Sequence, residues 1–258
     1  MSDTGSVIAI VQARMGSTRL PGKVLSYLEG APMLQRQLER VQRATALDRI
    51  VVATSDDRSD DPIVELCSQL DIPVFRGDLN DVLSRFAGAI AQFEPEVVVR
   101  ITADCPLASP SVIDSVVDAF LDAGVDYLSN TLQPSFPDGI DVEVVRADVL
   151  LDVCATSTDA AEREHVTLGV YRQPDKYSVA NFAGDRDLSQ LRWTVDNPED
   201  LEFVQWVYQQ LFPINQQFDI DDVLALLESN PDRSRTSADS KRNAALDGLD
   251  TGAMLHQK

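Results

Sequence analysis

Positive charge is scarce in this chain. Only 22 lysines and arginines stand against 42 aspartates and glutamates, for a formal net charge of −20, and only four of the cations are lysines (Lys23, Lys176, Lys241 and Lys258). A free-standing nucleic-acid binder carries a basic face, so no nucleic-acid partner is expected. Cysteine and histidine are scarcer still. Cys67, Cys105 and Cys154 are odd in number and far apart, and form no CxxC pair or metal-ligand spacing with His165 or His256. A disulfide framework and a zinc module are thereby excluded, and a reduced, cytoplasmic protein is the expectation. No apolar run approaches the roughly 20 residues that span a bilayer, so no membrane partner is expected. The N-terminal MSDTGS is polar and carries Asp3, unlike a signal peptide. Internal repeats are absent as well.

What remains is ordinary globular composition: 44 % apolar and 25 % charged residues in a chain of 258. That length is enough for one extended α/β core. The charge is unevenly spread, with residues 1–50 at +3 and residues 51–230 at −24. A locally basic segment at the front of an acidic chain points to an anionic ligand there, while the bulk acidity serves solubility.

Val7 to Val11, Ile50 to Thr54, Pro73 to Phe75 and Val97 to Ile101 are short apolar runs. Such runs fit strands buried on both faces of a parallel sheet. Helical spacing of apolar residues follows each: Leu34, Leu38 and Val41 behind Pro32; Ile63, Leu66, Cys67 and Leu70 behind Asp61-Pro62; Val82 to Phe93; and Val112 to Phe120 behind Ser109-Pro110, an N-cap followed by proline. Alternating strand and helix predict an open, doubly wound, mostly parallel α/β sheet. Ligands of such sheets bind beyond the carboxyl ends of the strands, which directs attention to residues 12–23, 54–61, 76–81 and 102–109.

The alternation breaks after Ser129. Residues 130–190 mix a short strand at Val142 to Val145 with helices near 147–155 and 159–170, and read as an insertion that covers the site or makes a dimer contact. The pattern resumes with a strand at Leu191 to Val195, a helix capped by Asn197-Pro198, and a last helix around Val223 to Leu227. The main domain is therefore expected to span residues 1–230, with 231–258 a polar, aperiodic and disordered tail.

The most informative segment runs from Ala13 to Lys23, directly behind the first strand. Its glycines let backbone N–H groups approach a ligand, and Arg14, Arg19 and Lys23 add charge for phosphates. It is neither of the two commoner phosphate loops. Five residues separate Gly16 from Gly22 where a Walker A loop has four, Val24 follows the lysine, and G-x-G-x-x-G is absent. On composition alone, a phosphate cradle and a solvated Gly/Pro connection are equally good readings. Two aspartates, Asp104 and Asp196, each end a strand and precede a helix. Hard oxygen donors on one sheet edge suit Mg²⁺ bridging nucleotide phosphates, and Ser109 and Asn197 are better placed than they as helix caps.

The run Gln12 to Leu25, QARMGSTRLPGKVL, resembles the signature loop of cytidylyltransferases that make CMP-activated sugar acids. The likeness continues through VVATSDDRSDDPIVELC (51–67), PVFRG (73–77), VVVRITADCPL (97–107), YLSN (127–130), PDGIDVEV (137–144), REHVT (163–167) and LRWTVDNPEDLEFV (191–204). The pattern is most similar to the spore coat polysaccharide biosynthesis protein F family, with the 3-deoxy-manno-octulosonate and acylneuraminate cytidylyltransferases as wider relatives. The resemblance implies a nucleotidyltransferase fold with a dimerising insertion, hence a homodimer. It implies transfer from CTP to a sugar acid, with release of pyrophosphate and Mg²⁺ as cofactor. Carried onto this chain, it implies that Ala13, Arg14, Gly16, Ser17, Arg19 and Lys23 hold the nucleotide and that Asp104 and Asp196 ligate the metal. It further implies that Arg76, Gly77 and Asp81 help hold base and ribose, against a simple turn. Arg163 and His165 would face the acceptor. Asp138, Asp141 and Glu143 either face sugar hydroxyls or form a charged turn and strand edge.

Two other features are read as structural. Asp219-Ile220-Asp221 has the D-x-D form of glycosyltransferase metal motifs, but it precedes a helix and reads as its cap. The aspartates at 56, 57, 60 and 61 read as a solvated turn and a helix start. Cys105 has no histidine near it in sequence to activate it, so direct transfer without a covalent intermediate is expected. A transferase acting on a sugar 1-phosphate or phosphonate, a nucleotide-sugar-dependent glycosyltransferase and a non-catalytic scaffold are the alternatives.

Overall fold

The computed structural model describes residues 5–238. In chain order the elements are β1 (Val7–Gln12), β2 (Tyr27–Leu28), β3 (Ala31–Pro32), α1 (Met33–Val41), β4 (Arg49–Ser55), α2 (Asp61–Gln69), β5 (Val74–Gly77), α3 (Val82–Phe93), β6 (Val97–Thr102), α4 (Pro110–Ala123), β7 (Tyr127–Ser129), β8 (Glu143–Arg146), α5 (Ala147–Thr156), α6 (Ala160–Glu164), α7 (Leu168–Tyr171), β9 (Val179–Asn181), α8 (Pro198–Leu211) and α9 (Ile220–Ser229). The main sheet has the order β5-β4-β1-β6-β8-β7-β9. Its first four strands are parallel, with Val11 level with Val52 on one side and Ile101 on the other. β8 runs antiparallel between β6 and β7. β2 and β3 form a separate small hairpin.

Both faces of the sheet are covered, as the unbroken apolar runs require. Along β1, Val7, Ala9 and Val11 face the core beneath α1, α2, α4, α8 and α9, while Ile8 and Ile10 face the core beneath α3, α5 and α7. Strand alternation alone sends successive side chains into two different cores. Among the described residues, no helix is long and apolar enough to cross a membrane.

Within residues 130–190, read as an insertion, β8 and β9 widen the main sheet and α5 to α7 roof one face of it. The second half departs from the sequence expectation in three places. The expected helix 159–170 is two helices, because Val166 takes a left-handed φ of 50°, which breaks the helical path. Leu191 to Val195 is not a sheet strand. Its Trp193 and Val195 amides donate to the Asp138 and Asp104 carbonyls at 2.6 and 2.8 Å, and Leu191 and Arg192 make only single bridges, to Thr236 and Asp138. Finally, residues 231–238 are bound to the body: Arg192 N–H donates to the Arg235 carbonyl at 2.9 Å and Ser237 N–H to that of Gln190 at 2.8 Å. The rest of the expected tail, 239–258, lies outside the described residues.

Candidate active site

The cationic loop is built outward from the sheet. Ala13 extends the β1–β4 ladder by donating to the Ala53 carbonyl at 3.1 Å. Met15 N–H then donates to the Asp60 carboxylate at 2.7 Å, and the Met15 carbonyl accepts from Gly22 N–H at 3.0 Å, closing residues 15–22 into a ring. Gly22 sits at φ 73°, a conformation that glycine adopts without strain, and opens the 3₁₀ turn Lys23–Leu25. That turn aims Lys23 inward. Its Nζ donates to the Val195 carbonyl at 2.6 Å, to Asp196 at 3.1 Å and to Asp104 at 3.4 Å. Arg19 reaches the same Asp196 oxygen at 3.1 Å. Arg14 is exposed at the cleft and makes no ion pair among the described residues.

The two aspartates are therefore neighbours, although only Asp104 follows a sheet strand; the strand expected before Asp196 is not part of the sheet. Asp104 follows β6 and accepts from Thr102 Oγ1 at 2.5 Å. Its backbone carbonyl takes both Val195 N–H and, at 3.2 Å, Thr194 Oγ1, which joins the two carboxylate-bearing segments. Asp196 precedes α8, whose start is a capping box of Asn197 and Asp200. Behind it lies Arg192, whose side chain is 1 % exposed. Its guanidinium donates to Asp196 and Asp200, at 2.8 and 2.9 Å, and to Asp138 at 2.9 Å. Burial alone would raise the Asp196 carboxyl, but Lys23, Arg192 and Arg19 outweigh it and hold it below the usual aspartate range.

These groups line a cleft of about 330 Å³ at the carboxyl ends of β1 and β6. Of the residues singled out in the sequence, Ala13, Arg14, Gly16, Ser17, Arg19, Lys23, Asp104, Asp196 and His165 line it. His165 ends α6 beside the left-handed Val166, and its burial holds the imidazole below its ordinary value, hence neutral near pH 7.

The others stand elsewhere. Arg76 is spent on Asp61 at 2.7 Å and the carbonyls of Ser55 and Asp57, both at 2.8 Å, while Gly77 pairs with Ser55 in the sheet. Asp81 caps α3 through Ser84 N–H at 2.9 Å and pairs with Arg163 at 3.1 Å. Arg163 is further held by the Cys154 and Ser157 carbonyls, both at 2.7 Å. Asp138 belongs to the Arg192 network. Glu143 pairs with Arg100 at 2.5 Å and accepts from Tyr127 and Thr167. Asp219 is a helix cap in a capping box with Asp222 and is not among the cleft-lining residues, so its D-x-D form marks no metal site here.

Sequence reasoning passed over several participants. Arg85, Arg100, Thr102 and Glu164 also line the cleft. Arg100 and Arg192 did leave a signal, a single charge inside an otherwise apolar run. Asp60, read with Asp61 as a helix start, does precede α2 but makes no side-chain cap there: it is fully buried and accepts from Met15, Thr54 and Ser55. Four aspartates crowd residues 56–61, and nothing in their spacing tells which one turns inward.

Metal capacity follows from the donor set. Among the described residues no cluster of three or more histidine, cysteine, aspartate or glutamate side chains is present. Two carboxylates nonetheless converge on one point, and a cation, the Lys23 ammonium, stands there now. A pair of carboxylates completed by water and substrate phosphates is what Mg²⁺ commonly takes, so these residues fit that ion.

The comparisons with known proteins agree with this geometry. The cytidylyltransferase family model matches residues 8–226. The chain is 35 % identical over 235 residues to the spore coat polysaccharide biosynthesis protein SpsF of Bacillus subtilis, covering 88 % of this chain and 95 % of that protein. It is 37 % identical over 150 residues to the mitochondrial 3-deoxy-manno-octulosonate cytidylyltransferase of Arabidopsis thaliana, covering 55 % of this chain and 50 % of that one. Among solved structures, a cytidylyltransferase from Leptospira borgpetersenii serovar Hardjo-bovis superposes with a TM-score of 0.84 at 30 % identity, over 88 % of this chain and 96 % of that one. The CMP:2-keto-3-deoxy-manno-octonic acid synthetase complexed with CTP shares the fold, with a TM-score of 0.60 at 18 % identity over 80 % of this chain and 99 % of that one. With the family model spanning most of its length and relatives at these identities, the chain belongs to the cytidylyltransferase family and is a nucleotidyltransferase.

Proposed function

We propose that the protein transfers the cytidylyl group of CTP to a sugar acid of the nonulosonic or octulosonic type, giving a CMP-sugar and pyrophosphate for cell-surface polysaccharide synthesis. The observation that carries this reading is the convergence of Lys23, Asp104 and Asp196 on one point at the mouth of a loop bearing Arg14 and Arg19. An acceptor hydroxyl oxygen attacks the α-phosphorus and releases its proton to solvent, a new P–O bond forms, and the bond to the β-phosphate oxygen breaks in line with it. Arg14 and Lys23 take up the charge that grows on the departing pyrophosphate, where fixed cations lower the barrier most. Asp104 and Asp196 would hold Mg²⁺, which when bound compensates charge at the α-phosphate. With Asp104 and Asp196 holding the ion, Lys23 would be free to face the phosphates.

Direct transfer is supported by the state of Cys105. Burial, with the carboxylates of Asp104 and Asp141, pushes its thiol well above the ordinary value. A buried neutral thiol is a poor nucleophile. The sugar-acid acceptor rests on the named relatives, one of them a 3-deoxy-manno-octulosonate cytidylyltransferase.

The test is pyrophosphate release from CTP, UTP and ATP with Mg²⁺ and a panel of sugar acids, sugar 1-phosphates and phosphonates. CTP with a sugar acid is expected to exceed all other pairs. A faster reaction with UTP or ATP overturns the base assignment, and a faster one with a sugar 1-phosphate overturns the acceptor. Chirally labelled α-phosphorus is expected to invert, and retention would refute direct attack.

A further inference from the structure

Asp60 is a buried carboxylate that the reaction does not touch. It is 0 % exposed and forms no ion pair among the described residues. Hydrogen-bond donors surround its carboxyl group, and the buried Arg85 is near enough to interact with it electrostatically. Oδ2 accepts from Thr54 Oγ1 and Ser55 N–H, both at 3.1 Å, and from Ser55 Oγ at 2.5 Å. Oδ1 faces the other way and accepts one bond, from Met15 N–H at 2.7 Å, across 45 residues of sequence. The turn that presents Asp60 is itself shaped in advance, because Asp57 caps it through Ser59 N–H at 2.8 Å.

The position of Met15 gives that single bond its weight. Met15 lies between Arg14 and Gly16, and its carbonyl closes the 15–22 ring that ends next to Lys23. One residue is thus gripped on its amide by the sheet edge and on its carbonyl by the far end of the loop. Both cations that flank the ring take their place from it.

We propose that Asp60 is a positioning residue: its Oδ1 fixes Met15, and through Met15 the cationic loop, at the spacing from Asp104 and Asp196 that a nucleoside triphosphate requires. The assignment rests on the reading of that loop as the triphosphate site. Preformed donor geometry lets a ligand bind without the cost of ordering a flexible loop.

Asp60→Asn tests it with little change of shape. With the amide oxygen kept by the three donors on the Oδ2 side, the NH₂ faces Met15 N–H, and two donors meet where a bond was. CTP affinity is then expected to fall roughly tenfold or more, the scale of leaving a buried donor unsatisfied, read by calorimetry with CTP and Mg²⁺. Met15 and Gly16 amides should exchange faster while Val51 and Val52 in β4 stay protected. Ser55→Ala separates positioning from mere stability. It removes an Oδ2 donor and leaves Met15 bonded, so it should lower Tm with CTP affinity unchanged. A folded Asp60→Asn protein that binds CTP like the wild type, or Ser55→Ala losing as much affinity as Asp60→Asn, overturns the proposal. Should Asp60→Asn fail to fold, exchange in the wild type decides: a Met15 amide as slow as those of β4 supports the anchor, and one as fast as an open loop refutes it. A wild type that binds no CTP would sink the triphosphate reading, while the exchange data still judge the anchor.

Discussion

Asp104 and Asp196 serve one point in space but are held there in opposite ways. Asp104 is set locally, by the end of β6 and a hydroxyl two residues away. Asp196 has no strand beneath it. It is fixed by Arg192, which draws in Asp138 from another part of the chain and Asp200 from the start of α8, and Asp200 accepts in turn from Arg235 at 3.1 Å. The difference teaches that one carboxylate of the pair is set by the end of a strand, while the other depends on a buried ionic cluster assembled from four segments.

Arg192→Met attacks the networked side and should have the largest effect. Removing one member of a buried ionic cluster strands the others, here Asp200 above all, at about 3–5 kcal/mol. Urea unfolding measures it, and a loss below about 1 kcal/mol, the level of an exposed pair, would show that the cluster is not what holds Asp196. Asp104→Asn and Asp196→Asn come next. Each should lower turnover by roughly 10²–10³-fold at saturating Mg²⁺, while only Asp196→Asn also lowers Tm clearly. Full activity in either variant would remove it from the metal pair.

Lys23→Ala and Arg14→Ala should raise KM for the triphosphate and lower kcat, each by about tenfold or more. Steady-state kinetics with CTP reads both, and wild-type constants would reduce the loop to a connection. A pH series sharpens the comparison further. The folded Asp196 carboxyl lies below its unfolded value, so the unfolded chain binds the proton first as pH falls. Its contribution is therefore complete above the ordinary aspartate range and is lost as pH drops through the lower folded value. The stability gap between wild type and Asp196→Asn should narrow from pH ~7 to pH ~3, and a constant or widening gap would contradict the assignment. The smallest effect belongs to Arg76→Ala. Its pair with Asp61 is part-exposed, so CTP affinity should stay within about twofold and stability within about 1 kcal/mol.

The same contrast explains how much was legible in the sequence. Strands β1, β4 and β6 declare themselves because burial on both faces demands continuous apolar residues, and the helices because caps such as Ser109 and Asn197 are short-range chemistry. Lys23 and Asp104 stand where the rule that ligands sit at strand carboxyl ends directs attention, whereas that rule sets Asp196 on a strand that the fold does not have. What was not legible depends on contacts distant in sequence. Leu191 to Val195 has the pattern of a strand, but its amides go to Asp138 and Asp104 carbonyls and not to a sheet. Asp60 and Asp61 are indistinguishable by type and spacing, yet one is buried under the loop and the other faces solvent. Arg76 matched a nucleotide-binding motif, but three local acceptors claim its guanidinium first.

Gly139 carries a consequence in time. At φ 106° it lies against the backbone of Trp193 and Thr194, where a Cβ would come within 2.5 Å of the Thr194 nitrogen. Two stretches of chain more than fifty residues apart therefore cross at bare-backbone distance, and Asp138 meets Arg192 only once both exist. A domain generally folds as a unit, so the site cannot be finished before both stretches have been made. Arg14, Lys23 and Asp104 are made early, while Asp196, the Arg192 cluster and the Arg235 clasp wait for a segment about ninety residues further on. Until then Lys23 has a single carboxylate to face, so the arrangement of Lys23, Asp104 and Asp196 is completed only when the later segment closes across the glycine.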